Sequence, residues 1–271
     1  MTPEHWKKLS HIRDQVKRQN VPLYSVQEAK LHQVASAVPI KINGRSFLVT
    51  ASHAAFKNGQ PVSLYAGLIS DDGFQLLCLE NFRSGFLRES YDHENVVDAD
   101  ITTIHLDFAE AAALESTYQF SEIQEFSPAE PRNIGRSIFH YLIAGYPSKR
   151  NLIVRRAISP TCVHLITPSY RDIEDKRRYK RGIKKSHHFE LLVARNLRKD
   201  SESKFKLGMP AGMSGGGIWR FESDQNSQTV SHPLLVGILI EARLDRNCKK
   251  VITASRLNNL VHLLNASSAL T

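Results

Sequence analysis

Residues 212–219 read Gly-Met-Ser-Gly-Gly-Gly-Ile-Trp, and this stretch sets a serine among glycines directly before an apolar strand. Glycine adopts positive φ without steric cost, so the backbone around Ser214 can turn tightly and expose the serine hydroxyl. A hydroxyl presented in this way is a candidate nucleophile. Because glycine-rich serine segments are also common in ordinary loops, the assignment depends on whether the chain supplies partners for Ser214.

The upstream sequence supplies two such partners, each at the end of a predicted strand. His53 follows an apolar, β-branched run at residues 47–50, and Asp100 opens a second run at residues 100–106. A serine hydroxyl needs an imidazole to take its proton, and the imidazole needs a carboxylate to fix its tautomer. The sequence therefore predicts that Ser214, His53 and Asp100 form a catalytic triad. Asp98 competes for the carboxylate role, and Asp100 is preferred because the apolar strand follows it directly.

Backbone amides near Ser214 can stabilise the negative charge that forms on a substrate carbonyl oxygen. A tight turn between glycines brings two N–H groups towards that oxygen, and we assign them to Gly212 and Ser214. Loss of one such donor typically lowers turnover by about a hundred- to a thousandfold. The loop backbone is therefore predicted to form an oxyanion hole.

Five segments match the motifs of one known family. Residues 47–54 resemble a strand that ends in Thr-Ala-Ala-His-Cys, residues 100–102 resemble Asp-Ile-Ala/Thr, and residues 212–216 resemble Gly-Asp-Ser-Gly-Gly. Residues 144–147 resemble a Gly-Tyr-Pro segment, and residues 236–240 resemble the strand that lines the substrate cleft. The chain thus resembles the chymotrypsin/trypsin-like serine peptidases, in a prokaryotic intracellular form. The resemblance implies an all-β fold of two six-stranded antiparallel barrels and a serine endopeptidase that works through an acyl-enzyme, without metal or organic cofactor.

The sequence departs from this family at two informative places. Met213 stands where the family has the aspartate that pairs with a newly cleaved N-terminus, so that route of activation is not expected. The three cysteines, Cys78, Cys162 and Cys248, are too few for the disulfide framework of secreted members and lack metal-ligand spacing. Together with an N-terminus that has no apolar signal core, they predict a cytoplasmic protein.

The substrate pocket is predicted from the same resemblance. Gly208 lies about six residues before Ser214, where trypsin-type pockets have an aspartate, so a preference for lysine or arginine is not expected. Leu239, Ile240 and Glu241 are the predicted pocket wall. We expect a small or apolar side chain before the scissile bond, with Glu241 as the residue that could add a charge preference.

The hydrophobic pattern predicts three domains: a helical extension at 1–34, a barrel with His53 and Asp100 at 35–127, and a barrel with Ser214 and a closing helix at 128–271. Thr2 caps a first helix, and Ser25 with Glu28 makes a capping box for a second. Asn43-Gly44 predicts a hairpin turn. A linker is expected at 125–132 and the closing helix at 254–265, and strands are expected at 38–42, 46–51, 62–68, 74–79, 101–106, 137–143, 152–157, 162–167, 189–193, 216–219 and 234–240.

The chain has 271 residues and a net charge of +9, and part of this charge lies in the segment that begins at Arg171 and ends at Lys185. That segment is either a solvated loop, a nucleic-acid contact in which Tyr179 stacks on a base, or a surface that recruits acidic substrates. The solvated loop is preferred. No run of 18 apolar residues occurs, so no membrane helix is predicted.

Three functional classes fit these observations. The preferred class is a regulated intracellular endopeptidase that acts on a protein or peptide, restrained by narrow specificity or a regulatory protein partner, with a prokaryotic defence or stress system as one setting. The alternative is a catalytically silent, trypsin-like binding module for peptide or nucleic acid. An esterase that uses the same serine chemistry is the third class. Retention of all three triad residue types favours an enzyme, since binding alone does not require them.

Overall fold

Short β-branched and aromatic runs separated by turn residues form most of this fold, and the helices are few. The computed structural model describes residues 3–58, 60–70, 73–88, 96–123, 138–148, 153–154, 157–158, 162–167, 170–171, 186–193, 211–223, 231–244, 250–260 and 264. The helices are α1 (Pro3–Arg18), α2 (Ser52–Ala55) and α3 (Phe108–Glu115), and residues 257–260 and 264 are also helical. The strands are β1 (Val21–Gln27), β2 (Lys30–Ile42), β3 (Arg45–Ala51), β4 (Phe56–Lys57), β5 (Gln60–Pro61), β6 (Leu64–Ser70), β7 (Gly73–Leu79), β8 (Phe82–Arg88), β9 (Val96–His105), β10 (Ser121–Glu122), β11 (Ile138–Gly145), β12 (Ile153–Val154), β13 (Ala157–Ile158), β14 (Val163–Thr167), β15 (Tyr170–Arg171), β16 (His188–Val193), β17 (Gly217–Ser223), β18 (Leu234–Leu244) and β19 (Lys250–Arg256).

The first large sheet carries the predicted histidine and aspartate. Its strand order is β7-β6-β1-β2-β3-β9-β8, with β10 paired to β2. The hairpin turn predicted between β2 and β3 is confirmed, because Asn43 (φ 50°) and Gly44 (φ 73°) both have the positive φ that a two-residue turn of this kind requires. Pairing of β3 with β9 brings the end of β3 beside Ile101, next to Asp100.

The second large sheet carries the predicted nucleophile and has the order β14-β11-β17-β18-β19-β16-β15. Each large sheet has its own hydrophobic core, and a third core joins the two sheets. The shared core combines Val38 and Ile101 of the first sheet with Trp219 of the second, and its helical members are Ile12, Val16, Leu257 and Leu260. The residues of this shared core place β2, β3 and β9 of the first sheet next to β11, β17 and β18 of the second.

The predicted all-β class is confirmed, with differences in detail. Within the described residues the sheets contain eight and seven strands instead of six each. The second N-terminal helix is wrong: Ser25 lies in β1, whose pairing with β2 and β6 outweighs the local capping signal. The closing helix begins later than predicted, since Ala254 belongs to β19 and helical residues start at Leu257.

The longer strands β1, β8 and β19 and the two-residue strands β4, β5, β10 and β15 were absent from the sequence prediction. The predicted first helix is present as α1, in which Ile12 and Val16 are buried. The predicted linker at 125–132 and residues 172–185 of the basic segment lie outside the described residues. The three-domain division and the role of the basic segment therefore stay predictions. Among the described helices, none has the length and apolar character needed to cross a membrane.

A half-buried histidine on β14 is expected to make the fold less stable in acid. His164 lies with its Nε2 3.7 Å from Cys162 Sγ, and burial, with Arg13 and Lys17 nearby, lowers the pKa of His164 to about 3. An unfolded histidine binds a proton below about pH 6.5, so between pH 6.5 and 3 the unfolded state holds more protons and stability falls with falling pH. Going from pH 7 to 5 should cost about 2 kcal/mol through this residue.

Urea unfolding of the His164→Gln variant at pH 7 and 5 tests this prediction. The variant should lose about 2 kcal/mol less free energy of unfolding over that interval than the wild type. Replacement of the exposed His32 by glutamine is the matched control and should keep the wild-type difference. Equal losses in the wild type and in His164→Gln would show that His164 is not the group responsible.

Candidate active site

Asp100 holds His53 at two points. The Asp100 Oδ2 atom lies 2.6 Å from His53 Nδ1, and Asp100 Oδ1 accepts a hydrogen bond from the His53 backbone N–H at 2.9 Å. The histidine side chain is 52% exposed and the aspartate side chain 22% exposed, so the imidazole faces open space while its partner is mostly covered. The carboxylate therefore fixes both the ring and the backbone of His53.

This orientation of Asp100 comes from a bulge in β9. Gly85 pairs with Ile101 and Phe86 pairs with Asp98, so Ala99 and Asp100 have no counterpart on β8. Asp100 has φ 49°, a left-handed conformation that is rare for a non-glycine residue inside a strand. Bulges of this kind redirect a side chain, and such strain tends to occur at functional sites. The side chain of Asp98 lies outside the description, and Asp100 is the aspartate that reaches His53.

The Ser214 loop, residues 211–216, lies against β3, which ends two residues before His53. The Ser36 backbone N–H donates to the Ser214 carbonyl at 2.8 Å, and Ser36 O in turn accepts from Thr50 Oγ1 at 2.7 Å. A Cβ atom added to Gly215 would lie 2.2 Å from Thr50 Oγ1 and 3.0 Å from Ala51 N. Since Ala51 is two residues before His53, the fold brings the three predicted triad residues into one region.

The Ser214 hydroxyl contacts a backbone carbonyl group of the second sheet. Its Oγ lies 3.5 Å from the carbonyl oxygen of Ile240, at the outer limit of a hydrogen bond. Ile240 is the extra residue in a β18 bulge, because Leu239 pairs with Ala254 and Glu241 with Thr253. Rotation about one serine torsion, between ordinary staggered wells, changes the direction of the hydroxyl. The structure therefore contains a paired His53 and Asp100, with the Ser214 hydroxyl in contact with Ile240 O.

The two predicted oxyanion donors are backbone amides in the Ser214 loop. Among the described residues, no hydrogen-bond acceptor is bound by the backbone amide of Gly212 or of Ser214. Gly212 has φ 92°, and an added Cβ there would lie 2.7 Å from the backbone nitrogen of Ser148. Glycine is therefore required at position 212 by both conformation and space.

The predicted pocket wall is only partly described. Leu239 is buried in the core of the second sheet, and its backbone accepts from Gly215 N–H at 2.7 Å and donates to Gly216 O at 2.8 Å. Ile240 is also buried, whereas Glu241 is partly exposed. Gly208 lies outside the described residues. Leu239 thus supports the loop, and the pocket assignment as a whole stays a prediction.

Three residues near the site were not found from the sequence. Gln33, Ser36 and Ser148 hydrogen-bond to the carbonyls of the Ser214 loop. None lies in a recognisable motif, and each contact spans more than 60 positions along the chain, so no local signal indicates them. Among the described residues, no group of three or more histidine, cysteine, aspartate or glutamate side chains is placed to hold a metal ion.

Comparison with known proteins supports the architecture. No protein-family model and no curated protein matches the sequence. Among solved structures, the chain is similar to the thermostable serine protease AL20 from an extremophilic microorganism, with 12% sequence identity and a TM-score of 0.53. The similarity covers 94% of this chain and 98% of the other. The chain therefore has a trypsin-like, two-barrel all-β fold.

Proposed function

We propose that the chain is a serine endopeptidase that hydrolyses peptide bonds with Ser214, His53 and Asp100. The two-point contact between Asp100 and His53 is the observation that carries this proposal. With Asp100 accepting from Nδ1–H, the neutral imidazole keeps its lone pair on Nε2 and can act as a general base. A carboxylate in this position also stabilises the imidazolium that forms when the proton is taken up.

In the proposed reaction, the Ser214 hydroxyl first rotates from the Ile240 carbonyl towards His53 Nε2. Serine Oγ then attacks the peptide carbonyl as His53 takes its proton, and the tetrahedral oxyanion is bound by the amides of Gly212 and Ser214. The C–N bond breaks as the imidazolium returns the proton to the leaving amine, which leaves an acyl-enzyme. Water deprotonated by His53 hydrolyses the acyl-enzyme and restores the serine.

Labelling with a fluorophosphonate tests whether Ser214 is an activated nucleophile. The full chain should gain one phosphonyl group by intact mass, and Ser214→Ala and His53→Ala should both remain unlabelled. Turnover of a chromogenic ester should fall by on the order of a million-fold in either variant, because nucleophile and base act as a unit. The matched controls are Ser63→Ala, just before β6, and His32→Ala, in β2; both residues are exposed, and both variants should label normally.

Two results would contradict the proposal. Labelling that persists in Ser214→Ala would place the reactive group elsewhere, and a folded wild type that stays unlabelled would favour the binding-module function. The contact of Ser214 Oγ with Ile240 O, instead of with His53, is the observation that favours that second function. Comparison of a peptide with its ester would separate an endopeptidase from an esterase.

A further inference from the structure

Four successive carbonyl groups of the Ser214 loop, those of residues 211–214, are held by hydrogen bonds. Each carbonyl from residue 211 to residue 214 accepts at least one hydrogen bond, and most of the donors lie outside the loop. The contacts are Ala211 O from Ser148 N–H (2.7 Å) and Ser148 Oγ (3.0 Å), Gly212 O from Ser36 Oγ (3.0 Å) and Gln33 Nε2 (3.2 Å), Met213 O from Gly216 N–H (2.9 Å), and Ser214 O from Ser36 N–H (2.8 Å).

These contacts determine where the amides point. In a trans peptide the C=O bond and the N–H bond of the next residue point in opposite directions, so fixing one fixes the other. The contact at Ala211 O therefore directs the N–H of Gly212, and the contact at Met213 O directs the N–H of Ser214. These are the two amides that the proposed reaction uses, and both are left without an acceptor in the described structure.

The peptide between these two amides is held by side chains. Gly212 O is the acceptor for both Ser36 Oγ and Gln33 Nε2, and these two side chains are buried. The direction of the Ser36 hydroxyl is settled because Ser36 Oγ accepts from Tyr146 N–H at 2.8 Å, which leaves its own proton for Gly212 O. The Gln33 amide is oriented by a second bond, from Nε2 to Ala35 O at 2.6 Å.

The side chain in the middle of the loop is anchored by burial. Met213 is 1% exposed and packs in the core of the second sheet with Ile143 and Phe189. Neither a charged group nor a chain terminus takes part in any of these loop contacts. The loop conformation is thus set by neutral hydrogen bonds from β2 and Ser148 and by one apolar anchor.

We propose that Gln33 and Ser36 are positioning residues that keep the oxyanion hole preformed through neutral hydrogen bonds. This inference rests on the proposed peptidase function. Gln33→Met removes a donor at nearly constant size, and Ser36→Ala removes the hydroxyl. Each variant should slow acylation by 4-nitrophenyl acetate by about tenfold, the size expected for one hydrogen bond that directs a transition-state contact.

Inhibition by two tripeptide analogues separates positioning from general weakening of the fold. Acetyl-Ala-Ala-Ala aldehyde forms a tetrahedral adduct that needs the oxyanion hole, whereas the matching alcohol does not. In Gln33→Met and Ser36→Ala the inhibition constant of the aldehyde should rise about tenfold, and that of the alcohol should stay within a factor of about two. Thr167→Val is the control, because it removes another buried strand hydroxyl, bonded to Leu192 O at 2.6 Å, and should change neither constant.

The outcomes distinguish this inference from the proposed function. If the wild type reacts at Ser214 but both variants match it in acylation and in aldehyde binding, the positioning role is wrong and the peptidase stands. Equal losses for aldehyde and alcohol would also overturn positioning, since they indicate a general disturbance of the cleft. A wild type that does not react at Ser214 would overturn both the positioning role and the proposed peptidase function.

Discussion

Replacing Asp100 with asparagine is expected to lower kcat by about ten-thousandfold with the fold intact, the size known for this change in a serine protease triad. The loss is expected because Asp100 contacts both the backbone N–H and the ring Nδ1 of His53. Oδ1 accepts from the His53 backbone N–H, so the amide oxygen of asparagine must stay there and its NH₂ group must face Nδ1. Nδ1 then becomes an acceptor, the ring proton moves to Nε2, and His53 can no longer take a proton from Ser214.

Steady-state hydrolysis of an ester substrate, with unfolding measured in parallel, checks this prediction. Asp107→Asn is the matched control, because Asp107 also accepts a backbone N–H, from Glu110 at 2.8 Å, but as the N-cap of α3. Asparagine is an equally good N-cap, so the control should keep both activity and stability. A loss of less than tenfold in Asp100→Asn would mean that Asp100 does not set the histidine tautomer.

Gly215→Ala is expected to abolish labelling by a fluorophosphonate and to lower the free energy of unfolding by about 2–5 kcal/mol. The new Cβ would lie 2.1 Å from Ser36 O and 2.2 Å from Thr50 Oγ1, so the loop would have to move away from β2 and β3. Overpacking of this kind costs about 1–3 kcal/mol, and the φ of 86° adds about 1–2 kcal/mol for a residue with a side chain. Withdrawal of the loop separates Ser214 from His53.

Gly44→Ala is the matched control, because it measures the loss of stability caused by positive φ alone, without overpacking. Gly44 has φ 73°, and a Cβ added there meets no atom within 4 Å. This control should lose only about 1–2 kcal/mol and should label like the wild type. Normal labelling of Gly215→Ala would show that the loop does not need its close contact with β2 and β3 for reactivity.

The sequence predicted those features that depend on neighbouring residues. In the sequence, His53 follows a short run with strand character, Asp100 begins a second run, and Ser214 precedes a third. The turn at Asn43 and Gly44 is a two-residue signal. These local patterns, together with the family resemblance, predicted the all-β fold class. They also predicted that the three residues lie near one another. Their catalytic roles stay predictions for the experiments above.

The features that were missed depend on pairing between distant segments. Ser25 has the pattern of a helix cap, yet Val21–Gln27 pairs with two strands, and a local pattern carries no information about those partners. Gln33 and Ser36 likewise look like ordinary polar residues of a strand until the loop 179 and 176 positions away is folded against them. The bulge at Ala99 and Asp100 is likewise revealed only by the register of β9 with β8.

The core shared by the two sheets has a consequence for synthesis. Ile12 and Val16 near the start of the chain pack in the same cluster as Leu257 and Leu260. Ribosomes deliver a chain from its N-terminus, and contacts between such distant positions form only when both segments are available. The cluster that joins the two sheets therefore cannot be complete until residue 260 has left the ribosome, so the two sheets reach their final packing only after the helical segment at 257–260 has been made.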